Sequence, residues 1–146
     1  MVIEYQVPNG TMMIDADIFF QEASLRVIRK MLKDYRRYVS GADGIRKLSS
    51  WLKEQIDQFQ TETRVARHDF CMLMTLISDL NQKYRRMKDP CSEVFTRDRE
   101  KLWEARLEIQ MRKQEAIKKK HRILELQKQD AKYLKVLELV REISEE

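Results

Sequence analysis

Between Gly44 and Pro90, large apolar residues return every seven positions. Ile45, Leu52, Phe59, Ala66, Leu73, Leu80 and Met87 form one series, and Ser49, Ile56, Thr63, Phe70, Ile77 and Tyr84 run between them. Together they alternate spacings of four and three, the repeat of a helix that packs lengthwise against another helix. No glycine or proline interrupts residues 45–89, so the stretch is predicted as one long helix. Asp89-Pro90 ends it, because the residue before a proline is pushed out of the α region. Ser92 is the expected N-cap of another helix, with Glu93 in its acid-favouring first turn. That helix is predicted to run nearly to the C-terminus. Its apolar positions are Phe95, Leu102, Ile109, Ala116 and Ile123, then a broader stripe of Tyr133, Leu134, Leu137, Val140 and Ile143.

Both long patterns fade once, the first around Thr63 and Ala66, the second over RKQEAIKKKHR at 112–122. If the chain folds back around Pro90, residue 64 lies level with residue 116 and the two faded stretches coincide. Phe70 then lies near Ile109, Ile77 near Trp103, and Ile56 near Leu124. Seams that fade at one height fit an antiparallel helical hairpin and leave a single continuous coil unexplained.

A shorter helix precedes this pair. Phe20, Ala23, Val27, Met31, Tyr35 and Tyr38 recur at helical spacing, widened by Phe19, Ile28 and Leu32, with Asp15 or Asp17 as N-cap and an end near Val39. Ser40-Gly41-Ala42-Asp43-Gly44 reads as the turn, with Asp43 capping the next helix. This helix reaches only residues 45–66 of its neighbour.

Residues 1–16 alternate as strands do, around Pro8-Asn9-Gly10. An Asn9-Gly10 loop places Val7 opposite Met12, Tyr5 opposite Ile14 and Ile3 opposite Ala16, all on one apolar face. A turn centred on Pro8-Asn9 suits proline better but places Val7 opposite Thr11 and mixes the faces. The first register keeps the hairpin amphipathic and is preferred on that ground.

The expected fold is mainly α: an N-terminal β-hairpin (1–16), a three-helix bundle region (17–66 with 114–146) and a two-helix coiled-coil arm (67–113), in one structural domain overall.

Composition agrees. Charged residues are 36% of the 146, with three glycines and two prolines, a profile of long helices and few turns. The densest apolar run, FCMLMTLI at 70–77, is too short to span a bilayer, and residues 1–15 lack the basic start of a secretory signal. No membrane partner is expected, and a membrane-surface helix is disfavoured because the bundle needs the apolar faces. Cys71 and Cys91 lack paired spacing, which suggests free thiols and a cytoplasmic protein.

Two features bear on function. Phe70, Met72, Leu73, Met74, Leu76, Ile77 and Leu80 wrap more than halfway round the second helix. A two-helix arm hides one seam, so Met72, Met74 and Leu76 would stay wet. Self-association, with a dimer favoured, would cover them. The other feature is charge, net +5 overall. Arg26, Arg29, Lys30, Lys33, Arg36 and Arg37 share one stretch, and Arg112, Lys113, Lys118, Lys119, Lys120 and Arg122 share another. Lys83, Arg85, Arg86 and Lys88 form a smaller group near the arm's tip. Such stripes can neutralise nucleic-acid phosphates without reading sequence. The preferred reading is that they are solvated helix faces.

Catalytic chemistry is not evident. His68, His121, Cys71 and Cys91 do not share metal-ligand spacing, no Glu-x-x-His pair occurs, and Gly10, Gly41 and Gly44 are all assigned to turns. Trp51 and Trp103 are expected as packing anchors. No cofactor, metal, catalytic residue or small-molecule substrate is expected. The leading reading is a non-enzymatic coiled-coil interaction or adaptor protein; the alternative is an accessory nucleic-acid-binding protein.

Overall fold

The computed structural model describes residues 1–7, 10–35 and 41–145. Strands β1 (Val2–Val7) and β2 (Gly10–Asp15) are followed by helices α1 (Ala16–Glu22), α2 (Leu25–Tyr35), α3 (Gly41–Lys88) and α4 (Arg99–Glu145). The fold is thus mainly helical, with an N-terminal antiparallel hairpin, short helices and a long helix pair. Two compact units are formed, Met1–Thr61 with Leu126–Glu146, and Glu62–Glu125.

In the first unit the strands pair with Val7 opposite Gly10, Tyr5 opposite Met12 and Ile3 opposite Ile14. Neither expected register holds. The preferred one placed the same residues on one face but two positions out of step along the strand. A two-residue slip keeps every side chain on its face, so amphipathicity could not choose between them. Loop position decides: Val7 and Gly10 are the last paired residues, and Pro8-Asn9 between them lies outside the described residues. Gly10 has φ of 142°, a conformation that only glycine adopts without strain. Ile3 is buried and Ile14 half-buried, while Val2, Glu4, Met13 and Asp15 are exposed.

Asp15 caps α1, its carboxylate accepting from the Asp17 N–H at 3.0 Å. The predicted single helix to Val39 is broken, however. Ala23 is extended (ψ 150°), and Ser24 restarts the helix, accepting from the Val27 N–H through its hydroxyl and the Ile28 N–H through its carbonyl. Lys132 of α4 secures the break by donating from Nζ to the carbonyls of Gln21 (2.8 Å) and Ala23 (2.7 Å). A cation on the freed carbonyls of a helix end is favourable both as a hydrogen-bond donor and against the dipole. Tyr38, Val39 and Ser40 lie outside the described residues, as does the Asp43 side chain proposed as a cap. Gly41 and Gly44 belong to α3 rather than to a turn.

This unit's core draws on all four helices and on the hairpin. It joins Ile3, Phe20, Ile28, Leu32, Leu48, Leu52, Ile56, Tyr133, Val136, Val140 and Ile143. Tyr133 is its centre, with ring centroids 6.1 Å from Phe20, 6.1 Å from Trp51 and 5.1 Å from Phe59. The α4 stripe widens through Val136, fully buried, and not through Leu134, which is 40% exposed.

The second unit is an antiparallel helical hairpin. Leu73, Ile77 and Ala116 form its buried cluster, with Phe70 packed against them, and Arg122 meets Glu62 at 3.4 Å. The return is not a turn at Pro90 alone. It occupies residues 89–98, held by Asp89 Oδ1 accepting from the Cys91 N–H (2.9 Å) and the Thr96 N–H donating to the Met87 carbonyl (3.0 Å). Asp98, and not Ser92, caps α4, accepting from the N–H groups of Glu100 and Lys101. Ser92 serves a turn inside the loop, its carbonyl accepting from the Phe95 N–H.

The longer return displaces the expected register by about two helical turns. Ala116 sits with Leu73 and Ile77, not level with residue 64, and the faded stretches overlap only where Glu62 meets Arg122. Trp103, expected beside Ile77, is 63% exposed, and Leu124, expected beside Ile56, is 53% exposed; the α4 residues in the core with Ile56 begin at Tyr133.

Candidate interaction surfaces

Three surfaces bear on function. The first is on α3. Of the seven apolar residues singled out there, Leu73 and Ile77 are spent on the hairpin's own seam and Phe70 and Leu80 are half-buried. Met72 (60%), Met74 (45%) and Leu76 (38%) remain exposed. They lie in a helix whose interior positions already face α4, so nothing within this unit covers them.

The second is on α4, and the sequence reading did not isolate it. Trp103, Leu107, Met111, Ile117 and Leu124 are all roughly half exposed or more. The signal was present but incomplete: 103, 107, 117 and 124 fall on a second four-three line whose other positions, 110, 114 and 121, are polar, with Met111 beside it. It was masked because Leu102, Ile109, Ala116 and Ile123 gave a sufficient seam by themselves.

The third is basic. Arg26, Arg29, Lys30 and Lys33 are exposed on α2, opposite buried Ile28, Met31, Leu32 and Tyr35; Arg36 and Arg37 lie outside the described residues. On α4, Lys113, Lys118 and Lys120 are exposed and Lys119 half-buried. Two members of that cluster are already neutralised. Arg112 pairs with Glu115 at 3.1 Å, and Arg122 with Glu62 and Glu125 at 3.4 and 3.6 Å. Near the return, Lys88 sits 5.2 Å from the Tyr84 ring centroid, a cation–π contact.

Two ionisable groups have perturbed environments, both in the first unit. The Tyr133 hydroxyl donates to Asp17 Oδ1 at 3.2 Å. Burial, with the Asp17 carboxylate beside it, pushes its pKa up to about 12. Asp130 is raised above the usual aspartate value, chiefly by burial, against a lowering hydrogen bond with Gln60; its Oδ1 has no hydrogen-bond partner among the described residues. The two groups stand three residues apart on α4, and with the Tyr133 ring packed among core aromatics they read as structural.

An open cleft of about 560 Å³ lies at the return of the second unit, floored by Leu80, Tyr84, Met87 and Phe95 and rimmed by Lys101 and Glu108. Among the described residues, no cluster of three or more His, Cys, Asp and Glu could hold a metal ion, and no helix is long and apolar enough to cross a membrane. Cys71 and Cys91 are free and exposed. No protein-family model, curated protein or solved structure matches the chain, so its function is argued from these surfaces alone.

Proposed function

We propose that this chain is a non-enzymatic coiled-coil interaction protein, an adaptor or assembly factor, that dimerises through the apolar residues left exposed on either side of the α3 seam. The carrying observation is that Met72, Met74 and Leu76 stay in water on a helix whose one seam is already used. Covering each of these partly exposed side chains is worth about 1 kcal/mol, and a four-helix arrangement of two hairpins supplies the cover. The free thiols of Cys71 and Cys91 suit a reducing compartment such as the cytoplasm.

Sedimentation velocity over a micromolar concentration series tests this. The wild type is expected to dimerise, and Met72→Ser with Met74→Ser and Leu76→Ser to remain monomeric with unchanged helical circular dichroism. A wild type that is monomeric throughout defeats the reading.

A second reading rests on the exposed basic face of α2 and the open lysines of α4, which could bind nucleic-acid phosphates. It requires affinity that falls steeply with salt and weakens on Lys118→Glu with Lys119→Glu. No binding to duplex or single-stranded nucleic acid at low salt removes it.

A further inference from the structure

α4 has two seams within the second unit. One is the seam toward α3: residues 102, 105, 109, 112, 116, 119 and 123 are buried or half-buried without exception. The other comprises Trp103, Leu107, Gln110, Gln114, Ile117, His121 and Leu124, and all of these are exposed. Its spacings alternate four and three, so it lies on one nearly straight line along the helix, far round from the first. Four of the seven, Trp103, Leu107, Ile117 and Leu124, are large and apolar; exposed apolar residues scattered singly are ordinary on a surface, whereas four on one heptad line mark a face that a second helix would cover.

The charges beside this line specify what fits it. Arg99, Arg106, Lys113 and Lys120 stand seven apart along one edge, each immediately before a seam position or its heptad equivalent. All are exposed, and none of them forms an ion pair among the described residues, unlike Arg112 and Arg122 on the same helix. The opposite edge, Glu104, Met111, Lys118 and Glu125, is mixed. In a coiled coil, residues at these edge positions set partner choice through charge. A second copy of α4 laid antiparallel would set basic edge against basic edge; one laid parallel would pair Arg99 with Glu104 and Lys120 with Glu125 but leave Arg106 against Met111 and Lys113 against Lys118, so only a wholly acidic edge answers all four. A nucleic acid would use the basic row, and an unpaired base could stack on Trp103, but it would leave Leu107, Ile117 and Leu124 uncovered.

We infer that this outward seam of α4 is the docking surface for an amphipathic helix of a different protein, with large apolar residues at heptad spacing and a row of Glu or Asp along the edge that meets Arg99, Arg106, Lys113 and Lys120. Gln110, Gln114 and His121 fix its register, because polar seam positions are satisfied only by polar partners. The surface is separate from the α3 residues proposed for dimerisation.

The test uses the full chain and labelled synthetic helices of about four heptads with Leu and Ile at the seam. One carries Glu at its edge positions, a second Lys, and a third has the Glu peptide's composition in scrambled order. The Glu helix is expected to bind and the other two not. Leu107→Ser with Ile117→Ser should weaken binding by about tenfold or more, as for centrally placed interface anchors. Arg106→Glu with Lys113→Glu should reverse the preference from the Glu to the Lys helix. The variant at Met72, Met74 and Leu76 should bind as the wild type does, which separates this result from the dimerisation test. Failure of the Glu helix to bind overturns the inference. So does binding that is indifferent to Leu107→Ser with Ile117→Ser, which would mark a polyanion site, or cross-links that place a second copy of α4 on the seam.

Discussion

Tyr133 shows how one residue can serve packing and polarity together. Its ring is fully buried among three other aromatic rings, and its hydroxyl reaches out to Asp17. Because burial raises its pKa to about 12 from an ordinary 10, the folded chain holds this proton more tightly than the unfolded chain does. That contribution is fully present below pH 10, declines as pH climbs from about 10 and is gone above about 12. Tyr133→Phe is expected to cost about 1 kcal/mol at neutral pH through the lost hydrogen bond, and to flatten the alkaline arm of the stability curve. Urea melts of both proteins between neutral pH and pH 11 measure both effects; parallel curves would show that the hydroxyl carries no such linkage. Asp130 illustrates the opposite arrangement, a carboxylate whose burial works against its charge while Gln60 offsets part of the penalty. The sequence showed Tyr133 only as one apolar step in a stripe. Its aromatic neighbours come from α1 and α3, which periodicity within α4 cannot reveal.

At the scale of elements, long repeats were legible and their ends were not. The α3 pattern persists for many heptads, so tertiary packing repeats the same demand at each turn and the demand is written in the spacing. The break between α1 and α2 is written nowhere in the apolar pattern, which runs straight across Ala23. It depends on Ser24 as a cap and on Lys132, more than a hundred residues away, as donor to the open carbonyls. Lys132→Met keeps the apolar stem and removes those hydrogen bonds. It is expected to destabilise the first unit by about 1.5 kcal/mol, read as a lower midpoint in chemical denaturation with amide exchange rising first in α1. An unchanged midpoint would mean the break is held by other contacts. The start of α4 was misplaced for a related reason. Ser92, Thr96 and Asp98 are all competent caps, and only Asp98 is followed by uninterrupted helix.

Across the whole molecule, the sequence contained the doubling back of the chain but not its length. The heptads of α3 and α4 each imply a partner, and Asp89-Pro90 supplies a stop, but the capped turns of residues 89–98 shift every facing pair. The surfaces follow the same division. The wet methionines of α3 were foreseeable because one helix carried more apolar residues than one seam can hide. The outward seam of α4 was overlooked because its polar members, Gln110, Gln114 and His121, dilute it. Both surfaces lead to one account, in which this chain folds to present helix faces that other helices cover.

Concentration-dependent oxidation footprinting of the methionines tests that account most directly. Met72 and Met74 are expected to become protected as the chain is concentrated into its dimer, while Met12 and Met13 of β2, 50% and 67% exposed, stay fully reactive. Equal oxidation of all of them at every concentration would contradict it.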